Sequence, residues 1–125
     1  MTQLADFVVV NTEPITASQG KWTSAPFESG GRLIRNVDGV EQDNAYITLT
    51  LSAPAGGPDI AVRIIVNDNP LPLLVEVKAN SQRTAVAAFP ASHLKDQDPN
   101  VLELHSRNEV GFFIFDTICH FRQNS

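Results

Sequence analysis

The chain has a single cysteine, Cys119, so no internal disulfide can form and no multi-cysteine zinc or iron-sulfur site can be built. Long apolar runs are also missing. Nowhere do about twenty hydrophobic residues follow one another, which excludes a membrane-crossing helix. The nine basic residues are dispersed: Lys21, Arg32, Arg35, Arg63, Lys78, Arg83, Lys95, Arg107 and Arg122 form no stripe that would neutralise a phosphate backbone. With a net charge of -5 as well, nucleic acid is excluded as a partner. G-x-S-x-G, H-E-x-x-H, a phosphate-cradling glycine loop and a metal-binding His-x-His are all absent. The histidines, His93, His105 and His120, stand far apart, and the expectation is a protein that is not an enzyme. The N-terminal MTQLADFVVVNTEP has no Lys or Arg ahead of its short apolar run and carries Asp6 instead, which is the wrong chemistry for a signal peptide. Nothing there directs export, which leaves the location open with the cytoplasm as default.

What the chain does have is alternation. Its 125 residues, 42% hydrophobic and 18% charged, suit one domain over 1–125 with one core. In AYITLTLSA, Ala45, Ile47, Leu49 and Leu51 share one face, while Tyr46, Thr48, Thr50 and Ser52 share the other. In IAVRIIVND, Ile60, Val62, Ile64 and Val66 alternate with Ala61, Arg63, Ile65 and Asn67, and the intervening PAGGPD suggests a hairpin between these two strands. FVVV, LLVEVKAN and RTAVAAF supply further strands, and helical periodicity is nearly absent. Between Asn11 and Asn44, glycine and proline break the chain into short pieces, with WTSAPF and GRLIRNV as the candidate strands.

Pro90 ends RTAVAAF and opens a compact turn in which Leu94 drops into the core and His93 stays at the surface. Asp98-Pro99 then releases the chain into VLELHSR, with Leu102 and Leu104 inward and Glu103, His105 and Arg107 outward. Read as a hairpin, NEVG pairs Arg107 with Phe112 and sets Glu103 opposite Asp116. That register places Phe113 and Phe115 in the core and leaves Phe112 and Ile114 on the outer face. An apolar surface of this kind predicts a homo-oligomer through the face carrying Phe112 and Ile114.

The succession IAVRIIVND, AVAAFP, ASHLKDQDPN, NVLELHSR and FFIFDTI resembles the second half of the galactose-binding-like jelly roll of carbohydrate-binding modules and glycosidase accessory domains. The resemblance covers residues 60–121. It rests on a strand ending in Val66-Asn67, a proline-flanked turn with an inward Leu94, and Asn100 opening an apolar strand. Phe115-Asp116-Thr117-Ile118 departs from it where the family often repeats the acid, as does Asn67-Asp68 where Asn-Gly is common. The resemblance implies an all-β antiparallel β-sandwich of jelly-roll type and non-catalytic, lectin-like carbohydrate binding. A structural or partner-binding homo-oligomer without a sugar ligand is the alternative.

The candidate ligand-binding residues are Trp22, Arg35, His105, Arg107 and Asn108. Trp22 is the only tryptophan, and an exposed indole would stack on a sugar; packing at the rim of the core is the competing account. Glu103, His105 and Arg107 make a polar stripe suited to hydroxyl-rich ligands or to ordinary ion pairing. Asp38, Glu41 and Asp43 cluster in NVDGVEQDN, an oxygen-rich loop that would suit calcium, an ion the resembled family often uses to prop its loops. A solvated hairpin turn is the simpler reading, and no other cofactor is expected. Cys119 and His120, adjacent in a strand, point to opposite faces and make no nucleophile-base pair.

Overall fold

Each alternating segment becomes a strand, and each alternation becomes the two sides of a sheet. The computed structural model describes residues 3–28, 36–37, 40–41, 45–90, 93–95 and 99–124. Its strands are β1 (Gln3–Asn11), β2 (Ile15–Ala17), β3 (Lys21–Thr23), β4 (Asn36–Val37), β5 (Val40–Glu41) and β6 (Ala45–Ser52). They continue as β7 (Ile60–Val66), β8 (Asn69–Val77), β9 (Gln82–Phe89), β10 (Leu102–Ser106) and β11 (Phe112–Asn124), with a 3-10 turn at Arg107–Glu109 before the last. One sheet runs β1-β11-β6-β9 with β2 also paired to β11, the other runs β3-β10-β7-β8, and β4 pairs with β5. All pairings are antiparallel. The protein is an antiparallel β-sandwich. Its chain crosses from sheet to sheet between β6 and β7, β8 and β9, β9 and β10, and β10 and β11, the jelly-roll way of joining two layers.

In β6, β7 and β10 the dry faces are those the alternation predicts. Ala45, Ile47, Leu49 and Leu51 from one sheet meet Ile60, Val62, Ile64, Val66, Leu102 and Leu104 from the other, all buried. Leu94 joins them from the connection after Pro90, which links β9 in one sheet to β10 in the other. His93 is not at the surface as expected. It is half-buried, stacked on Phe89 at 6.1 Å between ring centroids, because the turn that buries Leu94 carries its neighbour in as well.

Two expected hairpins do not form. β6 and β7 lie in different sheets, since the PAGGPD segment crosses the sandwich instead of reversing within a layer. β10 and β11 are likewise in different sheets, so Arg107 does not pair with Phe112, and Glu103 sits beside Thr23 and Ile65 with no Asp116 opposite it. With the hairpin goes its parity. Phe112 and Ile114 are core residues, 1% and 0% exposed, whereas Phe113 and Phe115 are half-buried on the other side. The proposed oligomer face through Phe112 and Ile114 is therefore corrected: both are sealed inside the sandwich. Further along β11 a bulge between Ile114 and Thr117 shifts the inward set to Thr117 and Cys119. The Phe115 carbonyl freed there accepts from Asn11 Nδ2 at 3.1 Å and from Thr117 Oγ1 at 3.2 Å.

Among the described residues of the second half of the chain, only β7 and β8 make a tight hairpin, through Asn67 and Asp68 with φ of 48° and 68°. Two successive left-handed residues match the twist of the flanking strands. Asn67 also reaches out of its turn. Its amide nitrogen donates to Asn100 Oδ1 at 2.7 Å and to the His93 carbonyl at 2.8 Å, and its Oδ1 accepts from Val101 N at 2.9 Å. Asn100, 1% exposed, in turn donates to the Lys95 carbonyl and accepts from Lys95 N, while its backbone bridges to Phe27. The two asparagines that carried the family resemblance are thus bonded to each other.

Candidate functional site

The end of the sandwich away from the Asn67-Asn100 pair opens into a cleft of about 710 Å³. It forms where β7 begins, β8 ends, β9 begins and β10 gives way to its 3-10 turn. Ile60, Val77 and Val110 supply apolar lining, and Asp59, Glu76, Lys78, Gln82, Arg83 and Arg107 supply polar lining. Local hydrogen bonds hold the walls. Asp59 Oδ1 accepts from Ala79 N at 2.8 Å, Ser81 N donates to the Lys78 carbonyl at 3.1 Å, and Ala53 N donates to the Ser81 carbonyl at 2.9 Å. Asn80, at φ 58°, supplies the left-handed step that lets this turn close.

Arg83 ties one sheet to the other. It shares the inward parity of Ala85, Ala87 and Phe89, yet lies past the end of the core, and its guanidinium donates to the Glu76 carbonyl on β8 at 2.8 Å. A charged residue at an inward position of an otherwise apolar alternation is a sequence signal for such an end site. Arg107 reaches the same cleft from the opposite wall. Its turn is set by Gly20, whose φ of 75° brings it so close to Ser106 and Glu109 that an added Cβ would lie 2.3 Å from Ser106 Oγ. Ser106 N donates to the Gly20 carbonyl at 2.8 Å, and Ser106 Oγ closes the turn on the Val110 carbonyl.

Among the expected ligand residues, Arg107 is exposed and lines the cleft. His105 stands on the outer face of β10, its Nε2 3.2 Å from Glu103 Oε2, in a row with Lys21 and Arg63. Arg63 is occupied with the Leu71 carbonyl at 2.7 Å. Trp22 pairs with Leu104 on the inner face of the sheet and packs, half-buried, against the core edge. Trp22 and His105 therefore face opposite ways and cannot hold one ligand between them. Arg35, Asp38 and Asp43 lie outside the described residues, as do the side chains of Glu41 and Asn108. β4 and β5 pair Val37 with Val40, so the candidate calcium segment contains a strand reversal. Among the described residues no group of three or more His, Cys, Asp or Glu is placed to hold a metal.

A second surface escaped the sequence reading. On the outer face of the larger sheet, register aligns Phe7, His120, Tyr46 and Ala88 across four strands, with Val9, Ile118, Thr48 and Val86 in the next row. The His120 ring stacks on Tyr46 at 4.3 Å and 11°, and its Nε2 lies 3.1 Å from Thr48 Oγ1. Burial holds the His120 pKa below the usual histidine value. Phe7 and Val86 are 56% and 57% exposed. Parity alone puts Tyr46 and His120 outward; only strand order makes them neighbours. On the reverse side, burial pushes the Cys119 thiol up to about 12, which makes it an inert core group.

No protein-family model and no curated protein matches the sequence. Among solved structures, the whole of this chain superposes on part of dimeric latent PorU from Porphyromonas gingivalis, with a TM-score of 0.65 at 10% identity. The chain spans 13% of the length of that protein. The EclA C-terminal domain, a sugar-binding protein, aligns over 94% of this chain and 79% of its own, with a TM-score of 0.48 and 16% identity. A family 35 carbohydrate binding module from Clostridium thermocellum aligns over 93% and 98%, with a TM-score of 0.46 and 14% identity. At such identities the PorU likeness is one of fold.

Proposed function

We propose that the protein binds carbohydrate, does no chemistry on it, and holds the sugar in the cleft between Arg83 and Arg107. The observation that carries this reading is the cleft itself. Its volume, about 710 Å³, falls among sites that enclose small ligands, which run to roughly 300–1,000 Å³. Its composition suits a pyranose: Pro58, Ala61 and Val110 offer apolar surface for C–H faces over a floor of buried Ile60 and Val77, with donors and acceptors around it for hydroxyls. These groups stand on strand ends and a bonded turn, so little ordering cost falls on binding. The Val66-Asn67 and Asn100 elements of the family resemblance support the same reading. Asp59 is engaged with the backbone of a turn, which fits a wall better than a catalytic acid.

Titration calorimetry against a panel of mono- and disaccharides tests it. Arg107→Ala and Gln82→Ala should each weaken binding, the first by about tenfold, the worth of one charge-assisted hydrogen bond. Trp22→Ala should leave affinity unchanged. Absence of binding to every sugar at millimolar concentration, or affinity indifferent to both cleft substitutions, would overturn the proposal.

The exposed Phe7, Val9, Tyr46 and Val86, spread over two adjacent rows, favour a second reading, partner binding through the outer face of the larger sheet. Sedimentation tests this: a dimer that Phe7→Ser with Val86→Ser converts to monomer supports it, and a monomer at high micromolar concentration removes self-association.

A further inference from the structure

We infer that the cleft selects saccharides bearing a carboxylate, uronates, over their neutral counterparts; this rests on the cleft's being the sugar site. The argument is one of charge placement. The chain as a whole is anionic at -5, with only nine basic residues, yet three of the nine, Lys78, Arg83 and Arg107, line this one cleft. Two carboxylates, Asp59 and Glu76, share it.

Those carboxylates form no ion pair with the cations. Asp59 accepts from the Ala79 backbone N–H, and Arg83 bonds the backbone carbonyl of Glu76, leaving its own charge in place. Among the described residues no ion pair engages Lys78, Arg83 or Arg107, whereas His105, outside the cleft, has Glu103. Three cations against two carboxylates at one end of an acidic protein, with none of the three ion-paired among the described residues, are placed for an anion. Guanidinium groups favour a planar carboxylate, which they bind through two parallel N–H donors. Asp59, Glu76 and Gln82 remain to accept from the hydroxyls of the same sugar, an arrangement of donors and acceptors that a bare inorganic anion would not use. At physiological ionic strength screening acts over about 8 Å, so a bound sugar feels the local excess of three cations over two carboxylates more than the distant negative charge of the molecule.

Calorimetry with trigalacturonate, its neutral galactotriose counterpart and a sulfated disaccharide, at low salt and in 0.5 M NaCl, tests the inference. Trigalacturonate should bind at least tenfold tighter than galactotriose, and the advantage should shrink in high salt. Arg107→Gln should remove most of it; Arg83→Lys, which keeps the charge but not the fork, should remove part. Both side chains are exposed, and circular dichroism confirms that each variant is folded. Equal affinity for the two trisaccharides, or a preference for the sulfated sugar, overturns carboxylate selection while leaving carbohydrate binding intact. No binding to any of the three, or to the wider panel, overturns both.

Discussion

Asn100 shows how much one residue can hold. Buried among Phe27, Lys95 and Asn67, it uses its amide oxygen and nitrogen together to join the β7–β8 turn to the connection that crosses between sheets. Asn100→Ala should cost on the order of 3 kcal/mol in denaturant unfolding, because the Asn67 amide and the Lys95 backbone lose their partner inside the protein. Asn100→Asp should also destabilise, since a carboxylate offers no N–H to the Lys95 and Phe27 carbonyls. His120 supplies a pH effect at the same scale. Its folded pKa lies below the unfolded value of about 6.5, so the unfolded chain takes up the proton first as pH falls. Stability should therefore decline from about pH 6.5 downward until the folded form is protonated too. Unfolding midpoints of the wild type minus those of His120→Gln, measured from pH 7.5 to 5, should show that loss; a difference independent of pH would refute it.

At the scale of the element, the last two strands separate what alternation can and cannot tell. Within β10 the period of two correctly divides Leu102 and Leu104 from Glu103 and His105. Carrying that parity through NEVG into β11 requires a hairpin, and the chain instead crosses to the other sheet through a 3-10 turn ending at Glu109, with φ of 57°. A crossing imposes no parity, so FFIF turned over, and the Phe115 bulge turned it again before Cys119. Phe112→Ala should cost about 3–5 kcal/mol, as for other buried phenylalanines. Phe113→Ala, on the half-buried side, should cost clearly less in the same urea titration. Equal losses would restore the hairpin register.

For the whole molecule, the cleft is a property of the end of the sandwich and of no single strand: Asp59, Glu76, Arg83 and Arg107 come from four stretches that meet only once the sheets are stacked. Cys119, fully buried at the middle of the larger sheet, gauges that stacking. Thiol reagent should react with it only as fast as the protein opens, and quickly in denaturant, with burial holding the thiol near pKa 12 in the folded state. Rapid labelling of the native protein would contradict the packing described. The sequence by itself determined the all-β class and the division of faces in β6, β7 and β10, because side-chain period is local; it marked Asn67 and Asn100 through the family resemblance, and the structure bonded them to each other. Strand order, the sense of the crossings and hence the face of Phe112, the Phe7-His120-Tyr46 row and the company Arg107 keeps were decided by tertiary structure alone. Those depend on which edges pair and which layers meet, and long-range burial sets that choice where local pattern is silent.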